Sequence, residues 1–378
     1  DEAAALAVPR LPAPDTEGLR QVARRLADAR RPVIVADRTG RRPQAVEALV
    51  RVAELLGALV VERRDAVNFP SDHPLYGGPN TAQALRRADV LLLLDAQVPW
   101  IPAEGGPAPG TTVLQIDVDC VKATMPSWSY PIDLALTADT AAALPQLQAH
   151  LEAIGEPERR RAWAENRRHA EEVAAELQAT WRRRASSSDA GDAPDAMLAA
   201  LDAALPAEAT TIQEAVTNQL ACQRQLHRPP RRHFDVGAPA LGSGLGAALG
   251  AKLADPESPT VAIVGDGAFN FGVPTAALWS AHRAAAPFVT VILNNGTYLA
   301  SRQPVRRLFP EGAAQRRDDF PETMLGGAID YAALARSCGG TGEVVDRPEQ
   351  MPGAMRRALA CSAGGRCAVI DARLPAPG

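Results

Sequence analysis

The chain has 378 residues, 46% apolar and only 4% aromatic, with a net charge of -4 at pH 7. That length predicts two or three domains with ample cores, built from Ala, Leu and Val rather than rings. The weak negative charge argues against a nucleic-acid partner, and the lack of an apolar run of about 18 residues argues against a membrane span.

Cys120, Cys222, Cys338, Cys361 and Cys367 are odd in number and contain no CxxC pair. They read as reduced, mostly buried thiols of a cytoplasmic globular protein. Residues 1–14 are rich in Ala and Pro and read as a linker or arm. The first residue is Asp1 rather than Met, so an upstream segment is expected, cut away or carried on another polypeptide.

From residue 15 onward helices and strands alternate. Residues 15–26 form a helix, 32–36 a buried strand, 43–56 a helix and 59–61 a strand. Helix 80–87 and strands 90–94 and 112–116 repeat the scheme, which predicts a parallel sheet covered by helices. Asp117 and Asp119 follow the last strand, where acids either hold a ribose or serve turn chemistry. His73, in a proline-bracketed loop at 68–76, reads as structural. This first domain spans 15–152.

Residues 153–193 form a helical linker. Within it 158–184 is charged, with Trp163, Ala170, Leu177 and Trp181 on an otherwise polar surface, and Glu and Arg recur at three- and four-residue spacing. The expectation is a solvated connecting helix, followed by a linker at 186–195.

The second domain spans 194–378. Helix 194–205 and strand 210–213 lead to Glu214 and Thr217. Next comes Gly237-Ala-Pro-Ala-Leu-Gly242-Ser-Gly244-Leu-Gly246, opening an Ala-rich helix. Its glycines run GxGxG rather than GxGxxG and no clear strand precedes them, so a dinucleotide loop is rejected.

The uncharged, β-branched strand 260–264 stops at Gly265-Asp266-Gly267, a helix starts at Pro274, and a second strand, 288–293, ends at Asn294-Asn295. A right-handed crossover makes the two strands parallel and puts their carboxyl ends at one edge. Neighbouring strands lie roughly 4.8 Å apart, so Asp266, read as an exposed strand-end acid, and an asparagine of the pair can reach one ion. A carboxylate and an amide suit Mg²⁺, which shares its oxygens with substrate phosphates. The glycines let backbone N–H groups approach phosphate.

Residues 302–325 are charged and proline-punctuated and cover the site as a loop or short helices. Helix 330–337, strand 343–345, helix 348–361 and strand 367–371 complete the chain. The fold class is α/β: two Rossmann-like three-layer domains with parallel sheets flanked by helices.

Gly265-Asp266-Gly267, the spacer 268–293, and Asn294-Asn295-Gly296-Thr297-Tyr298 together resemble the thiamine-diphosphate fingerprint. The form is most similar to benzoylformate decarboxylase and its relatives among the 2-oxo-acid decarboxylases and acetolactate synthases. The resemblance implies that Asp266 and Asn295 bind Mg²⁺ through side chains and Thr297 through its backbone carbonyl, with diphosphate oxygens and a water completing the shell. Gly265, Gly267, Ala268 and Tyr298 then belong to the cofactor site, with the backbone N–H groups of Gly267 and Ala268 on the diphosphate.

It also implies that Leu241 wedges the cofactor into its bent shape, although Pro239-Ala240 replaces the usual Gly-Gly before it. Glu214 and Thr217 either face the cofactor or serve as a helix N-terminal acid and its neighbour. Tyr298, Ser301 and Arg302 line the substrate pocket or, for Arg302, carry a surface charge. The middle domain of this family is Rossmann-like and holds FAD in acetolactate synthases; with no glycine-rich phosphate loop, a structural role is expected here.

The implied activity is decarboxylation of a small-molecule 2-oxo acid, with acetolactate-synthase-type carboligation or a non-catalytic, Mg-diphosphate-binding scaffold subunit as alternatives. The glutamate that activates the cofactor lies on a pyrimidine-binding domain, which nothing in these residues resembles. A homo- or hetero-oligomer is implied, and no catalytic acid or base is assigned to this chain.

Overall fold

A computed structural model describes residues 10–63, 66–79, 81–126, 128–236, 241–325 and 329–375. The chain divides into two compact units, residues 1–177 and 178–378.

In the first unit the helices are α1 (Thr16–Ala27), α2 (Pro43–Leu56), α3 (Ala82–Leu85), α4 (Thr140–Ile154) and α5 (Pro157–Ala185). The strands are β1 (Pro32–Ala36), β2 (Leu59–Glu62), β3 (Tyr76–Pro79), β4 (Val90–Leu94), β5 (Thr112–Asp117) and β6 (Leu134–Thr137). Every described pairing is parallel, in the order β3-β2-β1-β4-β5-β6. The central strands are buried along their whole length, as sheets covered on both faces must be. Asp15 caps α1 by accepting the N–H groups of Glu17 and Gly18.

Helix α5 differs from the solvated connector expected. Trp163, Ala170, Val173 and Ala174 are buried, and Trp163 Nε1 donates to the Ala27 carbonyl at 2.9 Å. Asn166 Nδ2 donates to that of Ala29 at 2.9 Å. The arginines occupy the outer face, and the stripe beneath them is core of the first unit. The boundary between units falls inside this helix.

The second unit contains α6 (Ala193–Ala204), α7 (Gln219–Gln225), α8 (Ser243–Ala254), α9 (Asp266–Phe271), α10 (Pro274–Arg283), α11 (Leu299–Leu308), α12 (Ala313–Arg317), α13 (Tyr331–Ser337) and α14 (Met351–Ala363). Its strands are β7 (Thr210–Glu214), β8 (His233–Asp235), β9 (Thr260–Gly265), β10 (Val289–Asn294), β11 (Thr341–Val345) and β12 (Ala368–Arg373). They pair in parallel, in the order β11-β12-β10-β9-β7-β8. Two apolar clusters cover the sheet: one includes Leu198, Ile263, Val291 and Met355, the other Val264, Leu278, Ile292 and Tyr331.

Asp195, where the expected linker at 186–195 meets the expected helix 194–205, lies in α6 and is 1% exposed. Its carboxylate accepts from Arg224 Nε and Nη2 and from Gln225 Nε2, at 2.7 to 2.9 Å. Burial pushes its carboxyl up, but these charge-assisted bonds together outweigh burial and hold it below the usual carboxylate range. A short strand, β8, does precede the glycine-rich segment, on the edge of the sheet.

Candidate active site at the carboxyl edge of the second sheet

Strands β9 and β10 are direct neighbours, with Leu293 in register with Gly265. The register sets Asp266, the next residue, beside the asparagine pair. Asp266 is only 3% exposed, so it is a buried acid rather than the exposed one expected. Its Oδ1 accepts the Gly267 N–H at 2.8 Å and its Oδ2 accepts the Gly296 N–H at 2.6 Å. The second bond ties the two strand-end loops together. Burial pushes the carboxyl up, and the backbone N–H groups oppose that shift.

The loop after β10 is held from both sides. Asn294 Oδ1 also accepts from Gly296 N at 3.1 Å, and Asn295 Oδ1 accepts from Thr297 N at 3.0 Å. Thr297 Oγ1 donates to the Thr323 carbonyl at 2.8 Å, and Tyr298 N donates to the same oxygen at 2.7 Å.

The Tyr298 ring stands where a side chain on Gly267 would have to go: a Cβ there would lie 2.7 Å from the ring. Glycine at 267 is therefore required by the close approach. Gly265 closes β9, and Ala268 is buried in the first turn of α9.

Glu214 ends β7 and is 5% exposed. Its Oε1 accepts from Gly242 N at 2.8 Å, Ser243 N at 3.1 Å and Ser243 Oγ at 3.0 Å, and its Oε2 from Gly244 N at 2.8 Å. It is thus a helix N-terminal acid, but for α8, not for the turn that follows it. Thr217 lies in that turn, Val216–Asn218.

Leu241 directly precedes this capped end and is 37% exposed. Gly242 has φ +104°, and a Cβ on it would lie 2.6 Å from the Phe271 backbone. The wedge candidate is therefore fixed by β7 on one side and by α9 on the other. Pro239 and Ala240 lie outside the described residues.

Arg302 is neither a surface charge nor free for a substrate. It is 7% exposed, its Nη2 donates to Asp318 Oδ1 at 2.8 Å, and its guanidinium stands 4.5 Å from the Phe320 ring centre. Ser301 is exposed on α11.

In the first unit, Asp117 forms a buried ion pair with Lys122 at 2.6 Å, and Asp119 Oδ1 accepts Lys122 N at 2.9 Å. Both acids are engaged within the chain. They border a crevice of about 360 Å³ with Arg38, Arg42 and Asp95. His73 Nδ1 accepts Leu75 N at 3.1 Å and the ring packs edge-on against Phe69, a structural placement.

Among the described residues no group of three or more His, Cys, Asp or Glu is arranged to hold a metal, and no helix is long and apolar enough to cross a membrane.

The sequence model for the thiamine pyrophosphate enzyme C-terminal TPP-binding domain matches residues 215–372, and that for the central domain matches 19–147. Sulfoacetaldehyde acetyltransferase of Rhodobacter capsulatus is 30% identical over 96% of this chain and 64% of its own length. Benzoylformate decarboxylase of Pseudomonas aeruginosa is 29% identical over 93% of this chain and 62% of its own. The chain thus spans under two thirds of the length of these curated relatives. In fold it is similar to a Rhodococcus jostii thiamine diphosphate-dependent 4-hydroxybenzoylformate decarboxylase, with a TM-score of 0.76 at 24% identity, covering 99% of this chain and 67% of that one.

Proposed function

We propose, from the premise that this chain belongs to the thiamine pyrophosphate enzymes and carries their central and C-terminal domains, that it takes part in decarboxylating a 2-oxo acid. The observation that carries this reading is the bond from Gly296 N to Asp266 Oδ2, which joins the two halves of the fingerprint in one site.

The donor set supports Mg²⁺. With one carboxylate, an amide oxygen and a backbone carbonyl, a cation would draw its remaining ligands from a diphosphate and water, which is the usual behaviour of this ion. Asp266, Asn295 and Thr297 would hold the metal, and Ala268 and Gly267 would lie against the diphosphate. When bound, thiamine diphosphate supplies a carbon nucleophile for the 2-oxo carbonyl and an electron sink as CO₂ leaves. The chain's own part is to anchor and orient the cofactor: Leu241, held by the Glu214-capped end of α8, limits the conformations open to it.

The reading further proposes that a pyrimidine-binding domain completes the site with a glutamate, in an oligomer in the cytoplasm. Support comes from the matches, which fall on the central and C-terminal domains of the family. Carboligation is the second reading, favoured by the sulfoacetaldehyde acetyltransferase and acetolactate synthase relatives at 30% identity.

The test is CO₂ release from pyruvate, benzoylformate and branched 2-oxo acids, with Mg²⁺ and thiamine diphosphate, with and without a pyrimidine-binding domain. Release only with that domain supports the proposal, and robust release by residues 1–378 alone contradicts the division of labour. Longer ketol products identify the carboligase, and a silent complex favours a non-catalytic diphosphate-binding subunit.

A further inference from the structure

The first asparagine of the pair, Asn294, has a partner on the far side from Asp266. Its Nδ2 donates to Asp371 Oδ1 at 2.8 Å. Asp371 lies on β12, in register with Ile292, so the pleat puts Asp371, Ile292 and Asn294 on one face of the sheet. That face otherwise buries Val264, Ile292 and Val369. Asp371 is 1% exposed, and a carboxylate placed there is costly unless its oxygens are satisfied.

The acid fixes which way round Asn294 sits. A carboxylate only accepts hydrogen bonds, so the Asn294 NH₂ must face Asp371 and its Oδ1 must face the loop. There Oδ1 accepts Gly296 N at 3.1 Å, the same N–H that Asp266 Oδ2 accepts at 2.6 Å. A continuous chain of bonds therefore runs from Asp371 through Asn294 and Gly296 to Asp266.

We propose that Asp371 is a positioning residue for the metal-binding loop, acting through Asn294 to hold Asn295 and Thr297 beside Asp266. The inference rests on the Mg-diphosphate reading of that loop and assigns a role to the asparagine that the reading leaves without one. Arg373 offers a competing explanation, since its Nε lies 3.4 Å from Asp371 Oδ2. Its side chain is 56% exposed, however, and ion pairs at such sites contribute little.

The experiment titrates Mg²⁺ into the 378-residue protein at fixed thiamine diphosphate and reads cofactor binding by calorimetry, alongside the melting temperature without Mg²⁺. Supporting shells of metal sites change affinity by roughly 10–100-fold when removed, and that loss in Mg²⁺ affinity is expected for Asp371→Ala. Asp371→Asn keeps an acceptor for Asn294 and should recover most of the affinity, which a loss due to the charge alone would not allow. Arg373→Ala should leave it near wild type. An Asp371→Ala protein that binds Mg²⁺ and cofactor like wild type overturns the proposal, as does an Arg373→Ala protein with the same loss as Asp371→Ala. If Asp371→Ala does not fold, Asp371→Asn with affinity as low as Asn294→Ala overturns it. Absence of Mg²⁺-dependent binding in the wild type instead sinks the cofactor reading beneath it.

Discussion

Glu214 accepts the Gly244 N–H at 2.8 Å, so the residue that ends β7 also starts α8, a helix whose own N-cap, Gly242, has no side chain to offer. Replacing Glu214 by Ala takes the acceptor from the half-buried N–H groups of Gly242 and Ser243 and the buried N–H of Gly244. The expected cost is about 2–4 kcal/mol, combining a lost cap with orphaned N–H groups, and Glu214→Gln should cost less. Urea unfolding measures it, and an unchanged midpoint for Glu214→Ala would remove the residue from this structural role.

Leu241 should act by shape. It is partly exposed, so Leu241→Ala should change stability by less than about 0.5 kcal/mol. The diphosphate anchor survives, and cofactor affinity should change little. Misplacing the reacting atoms is expected to lower turnover on the order of 10–100-fold. Steady-state kinetics of the assembled enzyme, set beside a cofactor titration, separates the two, and wild-type turnover would contradict the wedge.

Asp95 gives the first unit a pH dependence. Burial raises its carboxyl from 3.8 to about 6, while Thr140 Oγ1, donating to Oδ2 at 2.7 Å, pulls the other way. The folded state therefore holds the proton more tightly than the unfolded one. Its contribution to stability is fully present below 3.8 and is lost as pH rises through about 6. Ionising it costs up to about 3 kcal/mol at neutral pH, at about 1.4 kcal/mol per pH unit. Asp95→Asn should stabilise the protein above that range and flatten this part of the stability profile, as followed by thermal melting across pH. An unchanged profile would contradict it.

Much of the fold was legible because its strands are short, apolar and bounded by turns. Pro32–Ala36, Pro43–Leu56 and Val90–Leu94 stand where the pattern put them. Tyr76–Pro79 was missed because Gly-Gly-Pro is turn chemistry, and here it forms an edge strand. Asp266–Phe271 was missed because Gly-Asp-Gly reads as a turn, whereas it opens a six-residue helix.

Asp266 and the Asn294–Asn295 pair could be read together, although Asp266 meets Gly296 across 30 residues, because each follows or ends an apolar strand; buried polar pairs without such a marker could not. Asp371 meets Asn294 across 77 residues, and Asp195 meets Arg224 across 29. A single charged residue in a strand or helix does not announce such a partner. Arg302 was open between pocket and surface for the same reason, since Asp318 and Phe320 reach it only after α12 folds back.

The most direct measurement is calorimetric titration of thiamine diphosphate, with and without Mg²⁺, into the wild type and Asp266→Ala. Losing the carboxylate takes the acceptor from Gly267 N–H, at roughly 1–3 kcal/mol, and leaves Gly296 N–H with Asn294 Oδ1, so folding of the variant is checked by circular dichroism. The wild type is expected to bind the cofactor in a Mg²⁺-dependent way, and a folded Asp266→Ala protein is expected to show no detectable binding. Wild-type cofactor affinity in that folded variant would contradict the placement of the metal at Asp266.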